Sequence, residues 1–364
     1  MKVLHFYQQQ NEMQARYVNL LTETMDSSVE QVTMTTLSNV KQALTSQHFD
    51  LLHIHGCWSI SYAQAAAKAR REGTRIVITP HGELEPWILR NRQWQEKMPK
   101  TLLYQRQTIR QAYAVIAMGT MEQQSLQELR WNPRIETIRN ALITRSITPA
   151  DMSAQLLAVY RKVMDSDVFH VMTSQARQGL FLLLRAAVCG RPEWMRHTGF
   201  PELTANDWRL LHLYARDEHV EHLLKRGVYT LGLKTPLIDV SQVANYKPEG
   251  YRPPKSIAET IGNQFASENE RLLATFKYLH RLNTSQHLAI SHMMELEREV
   301  REHDIDEEQL AEVLTDARLL TFASRLMGVL SHFTLFEEGL MPVPAITDRQ
   351  TEKIENIITN HLAI

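Results

Sequence analysis

The chain has 364 residues, 43% of them hydrophobic and 22% charged, which is ample apolar material for buried cores in two or three domains. A formal net charge of −1 excludes a bulk attraction to nucleic acid or to anionic membrane. Two cysteines, Cys57 and Cys189, are too few for a disulfide framework or a cysteine zinc site, and no run of about 18 apolar residues reads as a spanning helix. The opening MKVLHFY is strand-like and too short for the apolar stretch of a signal peptide, so the expected setting is reducing and cytoplasmic.

The first 147 residues alternate between strand and helix patterns. Residues 2–7 predict a strand and 12–26 a helix. Residues 29–35 and 37–47 repeat the pair, as do 50–56 and the Ala-rich 60–72. A fourth strand is expected at 75–80, followed by a basic helical region over 88–112. A fifth strand at 114–118, a helix at 120–130 and a sixth strand at 134–140 complete the series. Such alternation predicts right-handed crossovers and a doubly wound parallel sheet.

The second part changes character. Pro149 suits the first position of a helix, and 176–189 has a helical pattern. Residues 204–227 hold two short helices, with Thr204 three before Asp207 as a box-like cap. Only 167–172 and 227–233 have any strand character. The Pro, Gly and polar residues of 232–256 read as a linker. Helices are then expected at 257–281, 284–302, 306–332 and 347–361, with Asp306 as a cap. This gives three regions: 1–147, an α/β domain; 148–256, helical with a linker; and 257–364, a helical bundle.

The stretch ITPHGELEPWI (78–88) places chemistry at a strand end. The β-branched run stops at Pro80, and Gly82 turns the chain, leaving His81, Glu83 and Glu85 in a loop beyond a buried strand. Open α/β sheets bind their ligands at that end. The third strand ends in His53-Ile54-His55-Gly56, and a period of two puts both histidines on one face.

These residues, with KTLLYQRQTIRQAYAVIAMGTMEQQSLQEL and RIETIRNALI in order behind them, resemble the N-terminal, acceptor-side domain of family 4 glycosyltransferases of the GT-B fold. The resemblance covers about 145 residues. It implies a Rossmann-like sheet and transfer of a sugar from a nucleotide-sugar to a carbohydrate or lipid-linked acceptor. His53 and His55 occupy the family's His-x-His pair, and His81 and Gly82 its Pro-His-Gly. Glu122 matches the glutamate after the fifth strand, and Asn140 the asparagine before the inter-domain crossing. His81 or Glu83 would act as the base, with His53, His55, Trp58, Glu85, Trp87, Glu122 and Asn140 lining the substrate site. Sugar transfer of this type implies no cofactor and no metal. His53 and His55 would also make an imidazole pair for a metal, with His81 as third ligand. Against each of these stands a bland use: a turn cap for His81, solvated glutamates, hydrogen-bonded strand-end histidines.

Four departures separate the chain from that pattern. The loop after the first strand, YQQQNEMQ, has no glycine where backbone must approach a diphosphate. Gly119 stands where the family has a serine, and Arg139-Asn140-Ala141 replaces Pro-Asn-Gly. No donor-binding half is recognisable beyond residue 150; Glu299 and Glu307 have the family's acidic spacing without its strand or glycines. The expectation is therefore a divergent, degenerate or partner-dependent transferase, or else a non-catalytic binding or regulatory subunit derived from one.

Three further patterns bear on partners. Residues 85–113 combine Arg90, Arg92, Lys97, Lys100, Arg106 and Arg110 with Trp87, Trp94, Leu102 and Leu103. That composition suits a peripheral contact at the inner face of the membrane, or a helix packed into the domain. Residues 205–227 could pass for a helix-turn-helix, but Asp217, Glu218 and Glu221 sit where phosphate-facing lysines are needed, so no nucleic acid is expected. Apolar residues from Leu310 to Leu330 recur at helical spacing, as a core or as a seam for a protein partner or a second copy.

Overall fold

The computed structural model describes residues 1–85, 94–190, 199–262 and 264–364. They divide into two compact units: Met1–Ser166 with Ala244–Tyr246, and Asp167–Val243 with Lys247–Ile364.

The first unit is built on a six-stranded sheet in the order β2-β1-β3-β4-β5-β6. The strands are β1 (Lys2–Phe6), β2 (Glu30–Met34), β3 (Leu51–His55), β4 (Arg75–Thr79), β5 (Ala114–Ala117) and β6 (Ile135–Thr137), and every pairing is parallel. The order reverses at β1, so the crevice for a ligand lies at the carboxyl ends of β1 and β3. The helices of this unit are α1 (Glu12–Thr24), α2 (Leu37–Ser46), α3 (Ile60–Arg71), α4 (Trp94–Lys100), α5 (Arg106–Arg110), α6 (Thr120–Leu129) and α7 (Pro149–Met164), with a π-helical turn at Thr101–Gln105 between α4 and α5.

Alternation sorts the strand side chains. Leu4, Phe6, Leu52, Ile54, Ile76, Ile78 and Val115 join Val40, Leu44, Tyr62 and Ala66 of α2 and α3 in one apolar core. Each fully buried Leu or Ile there contributes about 1.5–3 kcal/mol. The opposite face carries His5, His53, His55 and Thr79, all fully buried. Register aligns His5 with His53 and His55 with Thr79. Tyr17 of α1 and Tyr160 of α7 pack on those imidazoles. This is why α7 belongs with the sheet, and why the unit runs to Ser166 where the sequence suggested 147. Thr24 of α1 and Ser153 of α7 bond through their hydroxyls at 2.6 Å.

The second unit is helical among its described residues: α8 (Val168–Val171), α9 (Ser174–Cys189), α10 (Ala205–Asp217), α11 (Glu221–Thr230), α12 (Ile257–Ile261), α13 (Glu268–Thr284), α14 (Ile290–Glu302), α15 (Glu307–Asp316), α16 (Leu320–Thr334) and α17 (Arg349–Thr359). Residues 167–172 and 227–233, credited with strand character, instead form α8 and the end of α11: Val168, Phe169 and Leu224 face a helical core. The expected caps are present, with Thr204 and Asp207 bonding reciprocally and Asp306 accepting from Gln309 N. A single core runs from Val168 to Leu362 and joins Leu184, Leu211, Leu279 and Leu326. The expected separation of 148–256 from 257–364 therefore does not appear as two cores. The 310–330 stripe is part of this core, with Leu310, Leu314, Leu326, Val329 and Leu330 fully buried, so it is not an open seam for a partner. Within 232–256 the chain has no helix or strand, yet it is anchored: Tyr246 donates from N to Ser166 Oγ and from its hydroxyl to Glu136 Oε1. Among the described residues no helix is long and apolar enough to cross a membrane.

Candidate functional site

At the carboxyl ends of β1, β3 and β4 the chain makes two glycine turns. Gly56, after His55, has φ +110°, and a Cβ there would sit 2.6 Å from Gln14 Nε2. After Thr79 the chain turns through His81 (φ 56°) and Gly82 (φ 78°), closed by Glu83 N donating to Pro80 O at 3.2 Å. Glycine takes positive φ freely; a histidine held there is strained, and such strain collects at functional sites.

Glu122, in the first turn of α6, fixes the second turn. Its two oxygens accept from Gly82 N at 2.6 Å and Met118 N at 2.7 Å. Glu83 bridges both loops: Oε2 accepts from Cys57 N at 2.6 Å and Oε1 from Gln14 Nε2 at 3.2 Å, while its carbonyl accepts from Trp58 Nε1 at 2.8 Å. Trp58 is held at φ 64° from the π-helical turn: its N donates to Gln105 Oε1 at 2.7 Å, and Tyr104 donates to its carbonyl at 2.7 Å. A π-turn rotates side chains out of α-helical register, and here it aims Tyr104 and Gln105 at one loop.

Behind these turns four imidazoles form a buried chain. His5 Nδ1 lies 3.0 Å from His55 Nε2, and His55 Nδ1 lies 3.3 Å from His81 Nε2. His53 is bonded at both nitrogens, to Tyr160 Oη at 2.6 Å and to Thr79 Oγ1 at 2.8 Å. His81 Nδ1, His5 Nε2 and the Tyr17 hydroxyl are buried without a hydrogen-bond partner.

Residues 23–145 match the family Glycosyltransferase Family 4. The N-terminal unit carries a glycosyltransferase family 4 domain. The match spans 123 residues, counted from 23 to 145, of the 364. No curated protein and no solved structure matches the chain. The parallel sheet is Rossmann-like and of the GT-B N-terminal type, and it is followed by the mostly helical second unit.

Burial sets the charge states in the family 4 domain. It lowers His5 to about 4 and His81 to about 3, and it takes His53 and His55 well below the usual histidine range, where the neighbouring imidazoles lower them further. All four are neutral near pH 7. Glu83 moves the other way: burial raises it to about 7, against the Cys57 N–H and Lys97. Burial also raises Glu122, against its two backbone donors.

The expected site residues fall into three groups. His55, His81, Glu83, Glu122 and Trp58 come together around the two turns. Glu85 lies beside Gly82, its N donating to Gly82 O at 3.1 Å. His53 is interior, with both nitrogens spent, and Asn140 is buried in a turn where it accepts from Leu142 N at 2.9 Å. Trp87 lies outside the described residues. Contributors that were not expected include His5, Gln14, Tyr160, Tyr104 and Gln105. His5 could have been found from the alternation of KVLHFY, which puts it on the same face as His53 once β1 and β3 pair.

For a metal, the third imidazole beside His53 and His55 is His5, with ligand nitrogens of the three within 4.8 Å of one another. The sequence suggested His81. Of these nitrogens all but His5 Nε2 already serve hydrogen bonds, to each other, to His81, to Tyr160 and to Thr79.

Replacing Glu122 with Ala should cost about 2–6 kcal/mol. It strands two part-buried backbone N–H groups at about 1–3 kcal/mol each. Urea denaturation reads the loss, and Glu122→Gln, which keeps one acceptor, should lose less. Equal stability of Glu122→Ala and the parent would show that the turn does not depend on this carboxylate.

Proposed function

We propose that the protein acts in glycosyl transfer from a nucleotide-sugar to a carbohydrate or lipid-linked acceptor. The family 4 domain takes the acceptor, and a partner chain supplies the donor-binding half. The observation that carries this reading is Glu83, a carboxylate at the switch-point end of the sheet whose pKa near 7 suits removal of a hydroxyl proton at neutral pH. Each Glu83 oxygen holds one donor, which leaves lone pairs for an acceptor hydroxyl. A neutral His81 with a conjugate acid near 3 is too weak a base for this step. It acts by hydrogen bonding and positioning, with Nδ1 unspent.

Donor binding from outside follows from two features. The β1 loop is closed: Gln8 N donates to Tyr62 Oη at 3.2 Å and Gln8 Nε2 to Ser59 Oγ at 2.7 Å, and no glycine opens room for a diphosphate. The described residues of the second unit contain no strand from which a second phosphate cradle could spring. The same two features favour the other reading, a non-catalytic subunit that holds a glycan or glycolipid. The lipid-linked option is supported by Leu102 and Leu103, which are 74% and 76% exposed on the π-helical turn between Lys100 and Arg106.

The test is transfer of labelled sugar from UDP-glucose or GDP-mannose to glycan or glycolipid acceptors, with and without cell extract. Transfer is expected only when both the protein and the extract are present. If the protein adds nothing to the extract with any donor, the catalytic reading fails and the binding-subunit reading stands.

A further inference from the structure

The second unit holds a cavity of about 380 Å³, within the size range of small-molecule sites. It lies among the end of α9, the α10–α11 turn, the start of α12 and α14. Val188, Val220, Leu223, Pro254 and Met294 give it an apolar part. Arg226, Lys255 and Arg298 line it from three different segments, with Arg298 interacting electrostatically with Glu295 of the same lining. His219 and His222 add two imidazoles. Ser291, only 7% exposed, presents a buried hydroxyl with no partner. Glu295 Oε2 accepts from Ile257 N at 2.7 Å and Ser256 Oγ at 3.1 Å, and His292 Nε2 bonds Lys255 O at 3.1 Å. Glu259, Glu295 and Glu302 complete the charged lining.

We infer that this cavity binds a hydroxylated phosphate monoester. Three cations from separate segments, together with an orphaned donor, fit a single phosphate, which takes several charge-assisted bonds at once. Glu259 and Glu302 would repel the added charge of a diphosphate, yet each can accept from hydroxyl groups. The apolar part covers the carbon skeleton. The inference is independent of the activity proposed for the family 4 domain.

Calorimetric titration of the full chain with ribose 5-phosphate, ribose and inorganic phosphate tests it. Ribose 5-phosphate should bind once per chain, more tightly than inorganic phosphate, and ribose should give no heat. Arg226 and Arg298 are exposed, so Arg226→Ala and Arg298→Ala leave the core intact; each should weaken binding about tenfold, as the loss of one charged contact implies. Ser291→Ala should weaken it without changing the thermal midpoint. Absence of binding, equal affinity for ribose or inorganic phosphate, or unchanged affinity in both arginine variants would overturn the inference. The last result would place any bound ligand elsewhere.

Discussion

Acidification from pH 7.5 to 5.5 should destabilise the family 4 domain by several kcal/mol. In the unfolded chain His5, His53, His55 and His81 take up protons near pH 6.5. In the fold they stay neutral until about pH 4 for His5 and about pH 3 for His81, with His53 and His55 also far below 6.5. Their contribution is therefore complete above pH 6.5 and is lost as pH falls towards the folded values. Each proton bound only by the unfolded state costs about 1.4 kcal/mol per pH unit, so four approach about 5 kcal/mol per unit. Glu83 opposes this. Its pKa is raised to about 7, so its contribution grows as pH falls from there towards the unfolded value near 4.5, offsetting about one of the four protons. Glu122 opposes in the same direction. In the second unit His292, lowered to about 4 by burial, adds to the acid loss. The net slope remains destabilising, and it is a sizeable fraction of a total stability of about 5–15 kcal/mol. Urea midpoints at pH 7.5, 6.5 and 5.5 measure it, and His5→Asn should reduce the slope by about one proton. A midpoint that does not move with pH would mean that the imidazoles are not neutral in the fold.

Glu83→Gln should lower glycosyl transfer by about 10²- to 10⁴-fold, the usual contribution of a general base. The substitution keeps the size and one acceptor oxygen to hold Cys57 N, at the loss of the bond from Gln14 Nε2, so the turn should persist with a modest loss of stability. The parent rate should rise as pH climbs through about 7, where Glu83 loses its proton, and then level off. The residual rate of the variant should lack that inflection. His81→Ala should reduce the rate through positioning without removing it. Parent-level transfer by Glu83→Gln would take the base assignment away from this residue.

Much of the sheet was legible because each strand carries its own local signal. Runs such as RIVIT and LLHIH stop at a glycine or proline, and observed strand ends lie within a few residues of the expected ones. The Pro-His-Gly turn and Glu122 could be paired in advance only through the family resemblance; nothing local says that a glutamate 40 residues on accepts from Gly82 N. His5 and Tyr160 were hidden for the same reason, since their roles arise from strand register and from α7 crossing the second face. The short helix α8 has β-branched ends that resemble a strand, and only the helical core around Phe169 decides otherwise. The stripe in α15 and α16 showed that a face would be buried but not against what.

We propose that this chain supplies the acceptor half of a transferase and depends on a partner for the donor site. Calorimetric titration of the purified chain with UDP, GDP, UDP-glucose and GDP-mannose tests it most directly. The account predicts weak binding or none, because the closed β1 loop offers no phosphate cradle and no strand–helix junction in the described second unit replaces it. A dissociation constant in the micromolar range for any of the four would contradict it and make the chain a donor-binding transferase in its own right.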